Sequence, residues 1–336
     1  MPSADIVIVT PALRGANNGN WQTAQRWARF LSGHYRVRLC DTWSPGGAEA
    51  DARLMIALHA RRSAASVAAW RAARPTAPLI VVLTGTDLYR DLADDASAQR
   101  SAALADRLVV LNELGLDPLP AAWRAKGAVC LQSAPSRRTL AKTDQRLRAL
   151  MVGHLRDEKL PQTYFDAARR LAGRADIELD HIGSALDPAL GALATALAAA
   201  QPNYRWLGGL PHAATRRRIQ AAHVLVHSSR MEGGAHVVIE AVNSGTPVIC
   251  SRIAGNMGLL GEDYPGCFEV GDDAALAALL ERARDDPAML ADLQRRCAAR
   301  APLFSTDHER ATVLAQTALL LAPASIPLPE TADERP

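Results

Sequence analysis

Two glutamates eight positions apart, Glu232 and Glu240, lie in the stretch RMEGGAHVVIEAVNSG at 230–245, just behind the apolar run HVLVH at 223–227. The pattern predicts a buried strand, a glycine-containing turn and a helix opening near Ala235. Gly233 and Gly234 let backbone N–H groups come close to a ligand, and a helix N-terminus behind them favours an anion. At a rise of ~1.5 Å per residue the two carboxylates stand on the order of 12 Å apart. That gap suits acids gripping opposite ends of one long ligand better than an acid/base pair at a single bond. A sugar nucleotide is such a ligand, with hydroxyls at both ends and a diphosphate between them that needs N–H donors. The plain alternative is a surface glutamate and a helix glutamate in an ordinary α/β unit.

Three further segments carry polar groups where a strand ends. MVGHLRDEKLP at 151–161 brings His154, Arg156 and Lys159 into one short loop, where cations could neutralise a departing diphosphate. The loop PALRGANNGNW at 11–21 could cradle an anion through its N–H groups, with Arg14, Gly15, Asn18, Asn20 and Trp21 as candidates. It is neither GxGxxG nor a Walker loop. TGTDLY at 84–89 offers Thr84, Thr86 and Asp87, although Asp87 could equally cap a helix. Each segment also reads as a solvated loop or turn. His59, His154, His181, His223, His227 and His236 show no HExxH or comparable spacing, so polar contacts are expected of them and no metal. The arginine groups 61–62, 137–138 and 216–218 are expected on solvated helix faces.

The elements that would position these groups alternate. Apolar runs at 5–10, 36–40, 54–59, 78–85, 107–112 and 128–133 are separated by helix-like segments, the first of them ending at Gly33 as a C-cap. A polar linker follows at 135–148. A second series starts at 147–153 and continues at 177–183, 203–209, 223–228, 246–251 and 267–270. Such alternation implies right-handed βαβ units and parallel sheets, hence an α/β chain of two doubly wound, Rossmann-like domains facing across a cleft. The expected boundaries are 1–146 and 147–305, then a helix over 306–322 packing back toward the first domain and a disordered tail at 323–336. The 336 residues suffice for two such cores.

Composition narrows the partners. With 49% hydrophobic and 22% charged residues the profile is that of a soluble globular protein. A net charge of +3 is too mild to imply nucleic acid. No run is apolar enough for a membrane span, so no stable membrane insertion is expected. MPSADIVIVT reads as a first strand and not as a signal peptide. The five cysteines are scattered and odd in number, which suggests reduced thiols in a cytoplasmic protein.

Taken together, these residues resemble the retaining family 4 glycosyltransferases of GT-B fold. The resemblance rests on EGGAHVVIEA at 232–241, matching that family's E-x7-E region, with SGTPVICS at 244–251, AGN at 254–256 and VGHLRDEK at 152–159. It implies a metal-free transferase without a cofactor, an acceptor domain before residue 147 and a UDP-sugar donor domain after it. It further implies that Glu232 faces the donor sugar and Glu240 binds the ribose. Gly233, Gly234, Ala235, His236, Val237 and Val238 supply amides to sugar and diphosphate, and Lys159 binds the diphosphate. His154 stands where the family usually has arginine, with Arg156 close by, and Thr84 stands where a histidine is common. A narrower resemblance, carried by TPALRGANNGNWQTA, LTGTDLY and SSRMEGGAHVVIEA, is to the selenosugar synthases of bacterial selenoneine biosynthesis. It implies selenophosphate as acceptor and UDP-N-acetylglucosamine or UDP-glucose as donor, giving a 1-selenosugar, UDP and phosphate. A hydroxyl or lipid acceptor, or a non-catalytic sugar-nucleotide-binding protein, are the competing expectations.

Overall fold

The computed structural model describes residues 5–11 and 19–322. The described strands form two separate parallel sheets. The first holds β1 (Ile6–Val9), β2 (Val37–Cys40), β3 (Leu54–Leu58), β4 (Leu79–Leu83), β5 (Arg107–Val110) and β6 (Gly127–Val129), in the order β2-β1-β3-β4-β5-β6. The second holds β7 (Leu147–Val152), β8 (Ile177–Ile182), β9 (Tyr204–Trp206), β10 (Val224–His227), β11 (Val248–Ser251) and β12 (Cys267–Phe268), in the order β12-β11-β10-β7-β8-β9.

IVIV of β1 and LIVVL of β4 are wholly buried without polar alternation, because helices cover both faces of a parallel sheet. Alternate residues divide between those faces. Val7, Val9, Met55 and Ala57 join one apolar cluster, while Ile6, Ile8, Leu54 and Ile56 join another. Aspartates open several helices: Asp187 and Asp286 accept from first-turn N–H groups, with Pro188 and Pro287 in the first helical position.

Three local expectations need correction. The first helix begins at Gly19 and runs to Leu31, so Asn20 and Trp21 form its first turn and not the end of a loop. Gly33 lies beyond that helix and is absent from the left-handed glycines, so it is no C-cap of the expected kind. The apolar run at 128–133 is strand only to Val129, and Cys130 onward is extended chain leading toward the second sheet. Arg14, Gly15 and Asn18, and the tail from 323, lie outside the described residues.

The final helix, Thr306–Leu321, packs against helix Gly19–Leu31 of the first half. Its Glu309 is fully buried. The carboxylate accepts from Arg26 Nε at 2.7 Å and Nη2 at 3.0 Å, from Trp27 Nε1 at 2.8 Å, and from the Ser133 N–H at 2.8 Å. These charge-assisted bonds tie the first domain, the inter-domain connection and the last helix together. Glu309→Ala leaves the guanidinium and the indole N–H without their acceptor and is expected to lower stability by about 3–5 kcal/mol. Urea unfolding measures this, and a loss below about 1 kcal/mol would show that the carboxylate does not clamp these segments.

Candidate active site

In the second sheet the strand order reverses between β7 and β10. Right-handed crossovers therefore carry the following helices, Pro161–Arg170 and His236–Val242, to opposite faces. A crevice opens at the carboxyl ends of those two strands, the place where such sheets take ligands. Two loops meet there. The Ser228 hydroxyl donates to the carbonyls of Lys159 at 3.0 Å and Leu160 at 3.2 Å, and the Arg230 N–H donates to Glu158 O at 3.0 Å. Leu160 takes a left-handed φ of 45° before Pro161 starts its helix. That sharp turn sends Lys159 back toward the second loop.

Lys159 and Glu232 form an ion pair whose side chains are only 15% and 16% exposed, and His227 Nε2 lies 3.5 Å from the same carboxylate oxygen. Burial alone would raise the Glu232 pKa. The Lys159 ammonium and then His227 overcome that penalty and hold the carboxyl well below the usual range. Glu232 is therefore an anion at neutral pH and no proton donor. Gly255 backs it closely, since a Cβ there would collide with the Glu232 carbonyl.

The chain after Glu232 presents open donors. From Glu232 to Val237 no backbone N–H finds an acceptor among the described residues. The helix begins at His236, so only the second half of the interval between the two glutamates is helical. Gly233 and Ala235 of this run are buried, and buried backbone N–H groups are otherwise almost always paired, which makes the run a ready anion cradle.

Glu240 is buried on the same helix, and three cationic or imidazole groups converge on its Oε1. His212 Nε2 lies at 2.6 Å, Arg216 Nη1 at 3.4 Å and His236 Nδ1 at 3.6 Å. Burial raises its pKa, but His212, His236 and Arg216 lower it further, and the net shift is well below the usual range. Sequence patterning gives no signal for His212. Arg216 corrects an expectation: it is 1% exposed, not solvated, and its Nη2 donates to Pro135 O at 2.8 Å. It shares the inward face of helix His212–Ala221 with Thr215 and Ile219, so only Arg217 and Arg218 of the triplet face solvent.

His154 is exposed, with its Nδ1 accepting from the Ser184 N–H at 3.1 Å. Partial burial, then Arg156 and Lys159, depress its pKa. Arg156 is exposed and reaches Glu158 at 3.9 Å. His181, fully buried behind this loop, bonds the Gly153 carbonyl through Nε2 and the Tyr204 hydroxyl through Nδ1, both at 3.1 Å.

The first domain brings its own strand ends to the crevice. Asp87 is fully buried, with Oδ1 accepting from the N–H groups of Thr84 and Gly85 at 2.8 Å and Oδ2 from Ala60 at 2.9 Å. Its carboxylate is held by its own turn and by the Ala60 N–H, so it shapes the Thr84–Gly85 corner. Thr84 and Thr86 are half-buried beside it, and Thr86 Oγ1 lies 3.1 Å from Nε2 of His59, a residue held at a φ of 72°.

The domains touch through glycines. A Cβ on Gly85 would stand 2.9 Å from Gly233 N, and one on Gly234 would stand 2.8 Å from Leu111 Cβ and 2.9 Å from Gln132 Oε1. Asn112 Nδ2 donates to the Gly233 carbonyl at 2.7 Å, and a Cβ on Gly258 would stand 2.9 Å from Leu114 N. Gly233 is thus required by the approach of the Thr84–Gly85 backbone and Gly234 by the Leu111 and Gln132 side chains, a reason additional to ligand approach. A cavity of about 310 Å³ lies elsewhere, lined among others by Arg146, Arg148, Glu178, Asp180, Arg205 and Arg218. Its strand residues Arg148, Glu178, Asp180 and Arg205 sit at the starts and middles of β7–β9, away from the carboxyl ends where the loops meet. Among the described residues no three His, Cys, Asp or Glu side chains gather as metal ligands, and no helix is long and apolar enough to cross a membrane.

Two doubly wound domains with a crevice between their strand ends define the GT-B arrangement. Residues 133–303, just over half the chain, match the family described as glycosyl transferases group 1. The chain belongs to that family. Solved structures agree on the fold. HepE of Anabaena, crystallised with UDP and glucose, is 15% identical with a TM-score of 0.72, over 94% of this chain and 99% of that one. Sucrose-phosphate synthase of Thermosynechococcus elongatus is 16% identical with a TM-score of 0.73, over 94% and 97%. TarM of S. aureus, in a complex that includes UDP, is 13% identical with a TM-score of 0.62, over 80% of this chain but only 55% of its own. No curated protein sequence matches significantly.

His181 supplies a pH test of the loop packing. Burial depresses its pKa to about 4 from the model-peptide value of 6.5. Between those values the unfolded chain binds the extra proton and the folded chain does not, so acidification favours unfolding. Stability is expected to fall by about 3 kcal/mol from this group between pH 6.5 and 4. His181→Phe should flatten that part of the profile, and an unchanged slope would contradict the buried neutral imidazole.

Proposed function

We propose that the chain transfers the sugar of a UDP-sugar to selenophosphate. The observation that carries the donor half is the run of unpartnered N–H groups from Glu232 to Val237 beside the Lys159 ammonium. Together they form a cationic, donor-rich cradle of the kind a diphosphate requires. Gly233, Gly234, Ala235, His236, Val237 and Val238 line it, His154 and Arg156 flank it, Glu232 meets the sugar hydroxyls, and Glu240 meets the ribose. The UDP bound by HepE and TarM supports a uridine nucleotide.

As the C1–O bond breaks, UDP leaves with the electron pair and its charge is taken up by Lys159 and the amides, without a metal ion. The sugar is left oxocarbenium-like. Selenium of the acceptor then forms the C1–Se bond, and water cleaves P–Se to release phosphate. Arg14, Gly15, Asn18, Asn20, Trp21, Thr84 and Thr86 would serve the acceptor. Two features support selenophosphate. One is the combined resemblance of the three motifs at 10–24, 83–89 and 228–241. The other is that Asp87, the carboxylate at the first domain's strand ends, is already held by three backbone N–H groups. An acceptor ionised near neutral pH does not need it as a base.

Mass spectrometry of a UDP-sugar mixture incubated with selenophosphate should show a selenosugar, UDP and phosphate. A product with a hydroxyl or lipid acceptor, and none with selenophosphate, overturns the acceptor assignment. Absence of UDP release with any acceptor overturns transfer altogether. Lys159→Ala and Glu240→Ala should each lower turnover by roughly 100-fold or more while retaining the circular-dichroism spectrum. Near-wild-type turnover would contradict their roles.

A further inference from the structure

The positions of Cys250 and Cys267 make no thiol motif in the sequence, yet the fold sets them side by side. β11 and β12 pair in parallel with Cys250 directly opposite Cys267, and the two sulfurs are 3.6 Å apart. Neighbouring strands are spaced by roughly 4.8 Å. That spacing falls within the roughly 4.4–6.8 Å between Cα atoms over which a disulfide closes. β12 is an edge strand of two residues, held to the sheet only through Cys250↔Cys267 and Ser251↔Phe268.

The two thiols are unequal. Cys250 is fully buried, whereas Cys267 is partly exposed and lies 3.4 Å from the Met257 thioether. Where Cys250 is the donor of the sulfur–sulfur bond, that bond, aided by the charge of Arg252, favours the thiolate at Cys267 against the opposing effect of its burial. The same bond, together with burial, pushes Cys250 up. One sulfur is therefore suited to attack and the other to follow.

We propose that Cys267 and Cys250 form a hydroperoxide-responsive dithiol behind the donor crevice. The Cys267 thiolate attacks one peroxide oxygen, the O–O bond breaks, and the departing hydroxide takes a proton to become water. The resulting sulfenic acid is then attacked by Cys250, a second water leaves, and the S–S bond forms. The two thiols together lose two electrons and two protons, and hydrogen peroxide is reduced to two waters.

The site is joined to the glutamate loop. Ser251, next to Cys250, donates through its hydroxyl to the Ser229 carbonyl and accepts at its own carbonyl from Asn256 Nδ2 at 2.9 Å. Met257 belongs to helix Ala254–Leu260, whose Gly255 packs on Glu232. Drawing the sulfurs together to about 2.05 Å changes the contact that Cys267 makes with Met257 on that helix. On the reading that this loop holds UDP, oxidation then weakens nucleotide binding; the sulfur chemistry itself does not depend on that reading.

The reduced protein titrated with hydrogen peroxide should lose about two mass units and yield a Cys250–Cys267 cross-linked peptide. Cys250→Ser and Cys250→Ala should each stall at a dimedone-reactive sulfenic acid on Cys267. Cys267→Ser should give neither product, and Cys297→Ser should cross-link as the wild type does. Oxidation of another cysteine while this pair stays reduced, or no dimedone label on Cys267 in either Cys250 variant, would overturn the proposal. UDP affinity should fall about fivefold or more on oxidation and return with dithiothreitol. Unchanged affinity in the cross-linked protein would overturn the coupling. Failure of the reduced protein to bind UDP would instead overturn the donor reading, leaving the mass result to judge the dithiol.

Discussion

A carboxylate buried at the switch point of a parallel sheet must be neutralised, and in this chain Lys159 does so for Glu232. Leaving such a charge unpaired would cost several kcal/mol. The pair therefore fixes two loops that are 73 residues apart in sequence. The left-handed Leu160, the Ser228 bonds to the Lys159 and Leu160 carbonyls, and the close approach of Gly255 all serve to bring those charges together. Once they are together, the N–H groups after Glu232 are left without an acceptor among the described residues. A ligand that offers Lys159 a stronger anion can exchange with Glu232 and free that carboxylate for hydroxyls. On the proposed reading, ion pair and cradle serve the same anion.

The second glutamate obeys the same electrostatic rule with different partners. Glu240 is surrounded by His212, Arg216 and His236 on one oxygen, and His236 also bonds the Ser133 carbonyl of the inter-domain connection at 3.0 Å. The helix that carries Glu240 is consequently tied to the segment leading from the first domain. With Asn112 on the Gly233 carbonyl, both ends of the glutamate segment contact the first half of the chain. Domain approach and donor-loop shape are mechanically linked through these bonds. Glycines at 85, 233, 234 and 258 permit the approach because a side chain at any of them would meet the opposite domain.

Much of this was legible in the residue pattern, for physical reasons. Unbroken apolar runs such as LIVVL report strands covered on both faces, and their alternation with helices implies the parallel order. The loops after β7 and β10 are recognisable because charged and glycine residues follow buried strands directly. What could not be read is the set of contacts made at long range. Arg216 sits in an arginine triplet that looks solvated, and only the rotation of its helix buries it. His212 and Asn112 carry no local signal, since their partners are far away in sequence. Asp87 looked available because a carboxylate after a strand resembles a ligand group. The turn's own N–H groups claim it first. Cys250 and Cys267 were scattered on paper and became neighbours through strand register alone.

A crystal structure of the protein soaked with UDP tests the central claim most directly. The diphosphate should lie within hydrogen-bond distance of Lys159 Nζ and of the N–H groups between Gly233 and Val238, with Lys159 drawn off Glu232. UDP bound in the arginine-lined groove beside β8, or anywhere that leaves the Lys159–Glu232 pair and those N–H groups untouched, would contradict it.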